Sequence, residues 1–344
     1  MSLNRISALY RSCSAFVRNM SGTGRNSVYV TRPDMPDVGI IMLRNQCELK
    51  LWDKPSPIPR QELLKAVSGT NGIYCSLNDK IDKEVLDAAG ANLKVIGTIS
   101  VGYDHIDLEE CRKRGIRVGY TPDVLTDATA ELTLALLLST SRRLPEAQTE
   151  AKTGGWKSWA PTWMTGPGLA GSTVGIVGFG RIGQAVAKRV KAFNTAKILY
   201  SNRSERQEAK ETGAIKVEFD ELLRQSDFVI CCAALVPETK EVFNKEAFDK
   251  MKNTAIFINT SRGGTVDQEA LIQALKTNKI RAAGLDVTTP EPLPLDNPLF
   301  HLNNCVVLPH IGSAAIEARN AMSVLTANNI LAVFNGSEMP AELK

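Results

Sequence analysis

The chain has 344 residues, more than one hydrophobic core of ordinary size accommodates, so two domains are expected. Its 41 basic and 37 acidic residues give a formal charge of +4, but Arg5, Arg11, Arg18 and Arg25 fall in an acid-free stretch of the first 26 residues; the body is neutral, and no nucleic-acid partner is expected. No apolar run approaches the roughly 20 residues of a membrane-spanning helix, and seven cysteines without C-x-x-C spacing argue for reduced thiols in an intracellular compartment, with neither a disulfide frame nor a metal site.

Residues 1–26 read as a leader or a disordered tail. On a helical wheel Leu3, Ile6, Leu9, Phe16 and Met20 share one side, with Arg11 and Arg18 opposite, the pattern of a mitochondrial presequence. A start at Met20 would give a cytosolic form without it. From residue 27 to about 121, short apolar runs ("SVYVT", "CELKLW", "GIYCSL", "LKVIGTIS", "IRVGYT") alternate with helical patterns such as "RQELLKAV" and "DKEVLDAAG", which predicts a parallel sheet covered on both faces. One long helical stretch is then expected over residues 126–151. It is more apolar than one buried face needs, and is expected either under the chain's own fold or against a second subunit.

A second βα series begins at "VGIVGFGRIGQAVA", where Gly178, Gly180 and Gly183 satisfy G-x-G-x-x-G between an apolar strand and a helix-like run that opens with Arg181 and Ile182. Glycines there permit a tight turn and close backbone approach to a pyrophosphate, with the positive end of the helix facing the anion. The final helical run, residues 313–334, returns to the first lobe. The expected fold is therefore α/β, with two doubly wound parallel-sheet domains. A flavodoxin-like substrate-binding domain is made of residues 27–124 plus 315–344, and a Rossmann NADP-binding domain of residues 125–314.

About 20 residues beyond the glycines, an NAD-binding unit places an acidic residue on the ribose hydroxyls. Here stand Ser201 and Asn202, with Arg203 and Arg206 after them, groups that donate hydrogen bonds to a 2′-phosphate; NADP(H) is the expected cofactor. Three segments add charge beyond apolar strands: Arg262 in "INTSRGGTVD", Glu291 in "LDVTTPEPLP" and His310 in "VVLPHIGSAA". A carboxylate beside a histidine fixes its tautomer and favours the imidazolium, a proton donor, and an arginine holds a carboxylate by a bidentate pair. With hydride from a nicotinamide, these groups describe reduction of a 2-oxo acid. His105 and His301 have no comparable setting and are given no role.

The ordered segments "VGFGRIG", "INTSRGGTVD", "AAGLDVTTPEPLP" and "VLPHIGSA" resemble the D-isomer-specific 2-hydroxyacid dehydrogenases. "SVGYDHID" and "GGWKSW" are similar to the branch of that family that reduces glyoxylate and hydroxypyruvate. The resemblance covers residues 27–344. It implies that Arg262, Glu291 and His310 form the catalytic set, and that the backbone N–H groups of Val101 and Gly102 hold the substrate carboxylate. It also implies that Asp286 faces the nicotinamide end, that Thr260 and Gly312 line the cofactor site, and that the protein is a homodimer whose Trp159 shapes the partner's substrate pocket. An NAD-linked relative such as a phosphoglycerate dehydrogenase is the first alternative, disfavoured by Ser201 and Arg203. A dinucleotide-sensing corepressor-like binding protein is the second.

Overall fold

The computed structural model describes residues 24–344, so the leader pattern of residues 1–20 lies outside the described residues. Two fully parallel sheets carry the fold. The first is built from β1 (Ser27–Val30), β2 (Glu48–Leu51), β3 (Gly72–Cys75), β4 (Val95–Thr98) and β5 (Arg117–Gly119), in the order β2-β1-β3-β4-β5. The second contains β6 (Thr173–Val177), β7 (Lys197–Ser201), β8 (Ile215–Lys216), β9 (Phe228–Cys231), β10 (Ile256–Asn259), β11 (Ala282–Leu285) and β12 (Cys305–Val307). Its order is β12-β11-β10-β9-β6-β7-β8. Both orders are doubly wound: the first is the flavodoxin-like arrangement and the second the Rossmann arrangement, whose winding reverses between β6 and β9.

Strands covered on both faces read as continuous apolar runs, and the four residues each of β3, β4, β9, β10 and β11 are all buried. The first sheet has one core cluster around Leu43, Met322 and Ile330 and another around Leu86, Ile96 and Val118. The helix Ile316–Phe334 supplies the first of these, packing against the helix Asp37–Gln46 and across β3, β4 and β5, so the end of the chain closes the sheet that its beginning opened. On the second sheet one face is covered by the helices Thr126–Ser141 and Arg181–Lys191, the other by Phe219–Gln225, Lys245–Lys250 and Gln268–Lys276.

The single helix expected over 126–151 is two helices, Thr126–Ser141 and Leu144–Thr153. Pro145 is the reason: inside a continuous helix its ring would strike the carbonyl four residues back, and it offers no N–H to the ladder. The chain instead turns at Arg143, which takes a left-handed φ of 54°, and Pro145 sits in the first turn of the new helix, where no donor is required. The apolar excess of the first helix is used within the chain: Leu134, Leu136 and Leu137 are buried, and the helix packs on β10, β11 and β12. No helix among the described residues is long and apolar enough to cross a membrane.

Candidate active site

In doubly wound sheets ligands gather beyond the carboxyl ends of the strands, and at the β6/β9 reversal the glycine turn occupies that place. Gly178 leaves β6 with φ of 88°, and a Cβ added to it would lie 2.5 Å from the Ala233 amide nitrogen, so both conformation and space require glycine. The helix Arg181–Lys191 starts there with Gly180 as its cap residue and no side-chain cap, so the first-turn N–H groups have no intrahelical partner and are open to an anion. Ile182 behind them packs against the cores of both sheets.

Three further strand ends carry the charged groups. β10 runs into Thr260, Ser261 and Arg262, β11 into Asp286 and the Glu291 loop, and β12 into His310. His310 Nδ1 lies 2.8 Å from Glu291 Oε2, and the other carboxylate oxygen accepts the Thr288 N–H at 3.0 Å. Burial raises the Glu291 carboxyl, but the hydrogen bond and charge of His310, the Thr288 N–H and the nearby Arg262 outweigh it and hold the group below its usual range. It is therefore the ionised acceptor of the pair near neutral pH, and Nδ1–H is the donor. His310 itself takes a left-handed φ of 53°, rare for a residue with a side chain and common at functional sites.

Asp286 imposes that conformation. Its backbone carbonyl accepts from the His310 N–H at 2.9 Å, and its carboxylate accepts from the N–H groups of Ile311 and Gly312 at 2.8 and 2.7 Å. Burial pushes the Asp286 carboxyl above its ordinary value, with the two backbone donors pulling the other way. The carboxylate is thus occupied by the turn behind the histidine. Thr260 is likewise buried, its hydroxyl 2.8 Å from that of Thr133.

From the first sheet, β4 continues into Ser100, Val101, Gly102, Tyr103, Asp104 and His105. Arg262 Nε donates to Asp104 Oδ1 at 3.0 Å and Nη1 donates to the Ser261 carbonyl at 2.9 Å. The guanidinium lies against Gly102, where any Cβ would overlap Nη2. The Ser100 hydroxyl donates to the Gly102 carbonyl at 2.7 Å and lies 2.8 Å from the Thr98 hydroxyl, which is 3.0 Å from His105 Nε2. Arg262 and Gly102, carried by different sheets, thus meet in one cleft.

His105, given no role on sequence grounds, lies under this loop with Nδ1 buried and unpartnered. Burial lowers its ring to about 4 from the usual 6.5; Asp104 opposes that shift and Arg262 reinforces it. A folded-state value below the unfolded one means that protonation favours unfolding. Stability is unaffected above about pH 6.5, is lost as the pH falls from there toward 4, and the loss then levels off, amounting to about 3 kcal/mol. A His105→Gln variant is expected to lose less stability than the wild type between pH 7 and about pH 4.5 in urea denaturation; equal losses in the two proteins would contradict this assignment.

Among the residues expected to meet the cofactor, Ser201 ends β7, while Arg203 and Arg206 are exposed just beyond it. The Asn202 amide is engaged at both ends, accepting from the Phe179 N–H at 3.2 Å and donating to the Ser204 carbonyl at 2.9 Å, so it ties the glycine turn to the β7 loop. Arg181 pairs with Asp123 at 2.5 Å across the junction of the two sheets. Trp159 is 82% exposed on the segment after the helix Leu144–Thr153, with Trp156 and Trp163 also exposed.

A glycine turn at the winding reversal of a Rossmann sheet defines a dinucleotide-binding α/β protein, and comparison with known proteins narrows the class. The family model of the D-isomer specific 2-hydroxyacid dehydrogenase NAD binding domain matches residues 134–312. The chain is 57% identical over 320 residues to the glyoxylate reductase/hydroxypyruvate reductase of Mus musculus and equally to that of Homo sapiens, covering 92% of this chain and 97% of each relative. Among solved structures, a Thermus thermophilus protein superposes with a TM-score of 0.87 at 44% identity, over 92% of this chain and 100% of that one. An NADPH-dependent glyoxylate/hydroxypyruvate reductase of Sinorhizobium meliloti, in complex with NADP and malonate, gives 0.81 at 30% identity, over 93% and 97%. The chain belongs to the D-isomer-specific 2-hydroxyacid dehydrogenases.

Proposed function

We propose that this protein reduces glyoxylate to glycolate and hydroxypyruvate to D-glycerate with NADPH. The observation that carries the proposal is the His310–Glu291 pair at 2.8 Å, set beside Arg262 at neighbouring strand ends of a dinucleotide fold. The glycine turn fits a dinucleotide: an added Cβ at Gly178 would fill the approach to the β6/β9 reversal, and the N–H groups of Arg181, Ile182 and Gly183 open the helix toward it. Thr260, Gly312 and Asp286 would border the far end. When bound, the reduced nicotinamide supplies the hydride.

The chain's own residues do the rest. Arg262 and the N–H groups of Val101 and Gly102 bind the substrate carboxylate and aim the oxo carbon. His310 delivers a proton from Nε2 to the carbonyl oxygen as it becomes an alkoxide, while Glu291 fixes the tautomer and balances the imidazolium charge. The lobes of residues 27–124 plus 315–344 and of residues 125–314 form the two walls of the cleft. Leu144, Trp156, Trp159 and Trp163 are exposed apolar side chains within residues 144–163 that a homodimer would cover, bringing Trp159 to the partner's pocket. The free thiols of the six described cysteines support a reading of an intracellular protein, cytosolic unless residues 1–20 direct the chain to mitochondria.

Cofactor choice rests on the end of β7, where Ser201 replaces a carboxylate and the guanidinium groups of Arg203 and Arg206 are exposed to meet a 2′-phosphate. Arg203→Ala is expected to weaken NADPH binding by about tenfold and NADH binding hardly at all, in fluorescence titrations of the two reduced nucleotides. Equal losses for both would refute a phosphate contact. The activity is tested by following nicotinamide absorbance with both nucleotides crossed against glyoxylate, hydroxypyruvate and phosphohydroxypyruvate. Turnover of the two small oxo acids with NADPH favoured supports the proposal, and preference for the phosphorylated acid with NADH replaces it with the phosphoglycerate dehydrogenase alternative. Dinucleotide binding without turnover of any of them replaces it with a sensor.

A further inference from the structure

We infer that Asp104 is a positioning residue for Arg262, and that it makes the grip on the substrate carboxylate depend on contact between the two sheets. The inference rests on the proposed role of Arg262. A guanidinium presents five N–H donors in one plane, and an arginine side chain free to rotate presents them in no fixed direction. In this cleft two acceptors remove that freedom: Asp104 Oδ1 takes Nε–H at 3.0 Å and the Ser261 carbonyl takes Nη1 at 2.9 Å. The edge left over is Nη2, lying against Gly102, whose missing side chain is what lets the guanidinium reach that place. Nη2 and the Val101–Gly102 backbone therefore sit together as donors toward one small anion. Asp104 belongs to the loop after β4 and Arg262 to the loop after β10, so the acceptor that fixes the plane is carried by the other sheet. The arginine side chain is 21% and the aspartate 36% exposed, so Arg262 is half-buried while Asp104 is exposed, and the pair lies open to a ligand.

Charge alone predicts the opposite of positioning. A carboxylate beside an anion site repels the anion, so removal of Asp104 would tighten anion binding if the residue were only a neighbouring charge. If it orients the guanidinium, removal weakens binding despite the gain in positive potential. Asparagine separates the two further, because its amide oxygen still accepts from Nε–H while the charge is gone.

The test uses the full chain saturated with NADPH and titrates oxamate, an unreactive analogue of a 2-oxo acid, against the fluorescence of the bound nucleotide. Asp104→Ala is expected to lose about tenfold or more in oxamate affinity, Asp104→Asn to stay within about threefold of wild type, and NADPH affinity to stay constant in all three. Should the alanine variant not fold, Asp104→Ser removes the carboxylate acceptor with a polar group in its place, and NADPH binding in the same sample reports an intact fold. Unchanged or tighter oxamate binding in the alanine or serine variant overturns the inference, as does an asparagine variant as weak as alanine. Wild-type protein that binds oxamate in an Asp104-dependent way yet reduces no 2-oxo acid would sink the proposed activity and leave the positioning role standing.

Discussion

Arg262→Ala is expected to lower turnover of glyoxylate by about 10²- to 10³-fold while leaving NADPH affinity within about twofold of wild type. The split follows from where the residue sits. Arg262 stands beyond β10 with its guanidinium bonded to Asp104 and lying against Gly102 of the other sheet, whereas the glycine turn that would hold the nucleotide follows β6. In the proposed mechanism, loss of the side chain removes a charge-assisted contact to the substrate carboxylate and also the group that aims the oxo carbon, so both KM and kcat are expected to suffer. Lysine at this position keeps the charge but not the fork, and is expected to recover only a minor part. Undiminished turnover in the alanine variant would remove Arg262 from the mechanism. Loss of NADPH binding would instead make it part of the nucleotide site.

The second large effect belongs to His310. His310→Gln is expected to reduce kcat by about 10²- to 10⁴-fold, the usual worth of a positioned proton donor, with KM for the oxo acid and NADPH affinity changed far less. Glutamine can still hydrogen-bond a carbonyl oxygen but has no proton to give as the alkoxide forms. Glu291→Gln is expected to do less damage, about 10- to 10²-fold, because the ring keeps its place through Asp286, which fixes its backbone, while losing the anion 2.8 Å from Nδ1. Steady-state kinetics of both variants with glyoxylate decide the matter. An effect of Glu291→Gln as large as that of His310→Gln would mean that the carboxylate, not the imidazole, handles the proton.

Much of this site is legible in the sequence because its parts are local. Gly178, Gly180 and Gly183 announce themselves by spacing, and Glu291 and His310 follow consecutive apolar strands, so one topological rule brings their loops to one edge. The apolar runs coincide with β1 to β5; in β3 and β4 residues buried on both faces leave no alternation to misread, whereas β2, at the sheet edge, has none of its four residues buried. What stays hidden depends on distant partners. Asp104 lies 158 residues from Arg262, and nothing in "VGYDHID" marks its carboxylate as the acceptor for a guanidinium on another sheet. His105, beneath the same loop, escapes notice for the same reason, its unusual state arising from burial that only the fold creates. Asn202 is expected from its position to face the cofactor; that its amide also joins two loops of the second sheet is not visible in the sequence. The turn at Arg143 is masked by helix-forming residues on both sides, although Pro145 is a signal in the sequence that divides the run.

The most direct test of the central claim is the configuration of the product. Purified protein incubated with NADPH and hydroxypyruvate should consume the two in equal amounts and yield a single isomer of glycerate on chiral chromatography, since the proposed mechanism holds the substrate in one orientation; membership of a D-isomer-specific family makes D the isomer expected. L-glycerate, a racemic product, or nucleotide oxidation without glycerate would contradict the account.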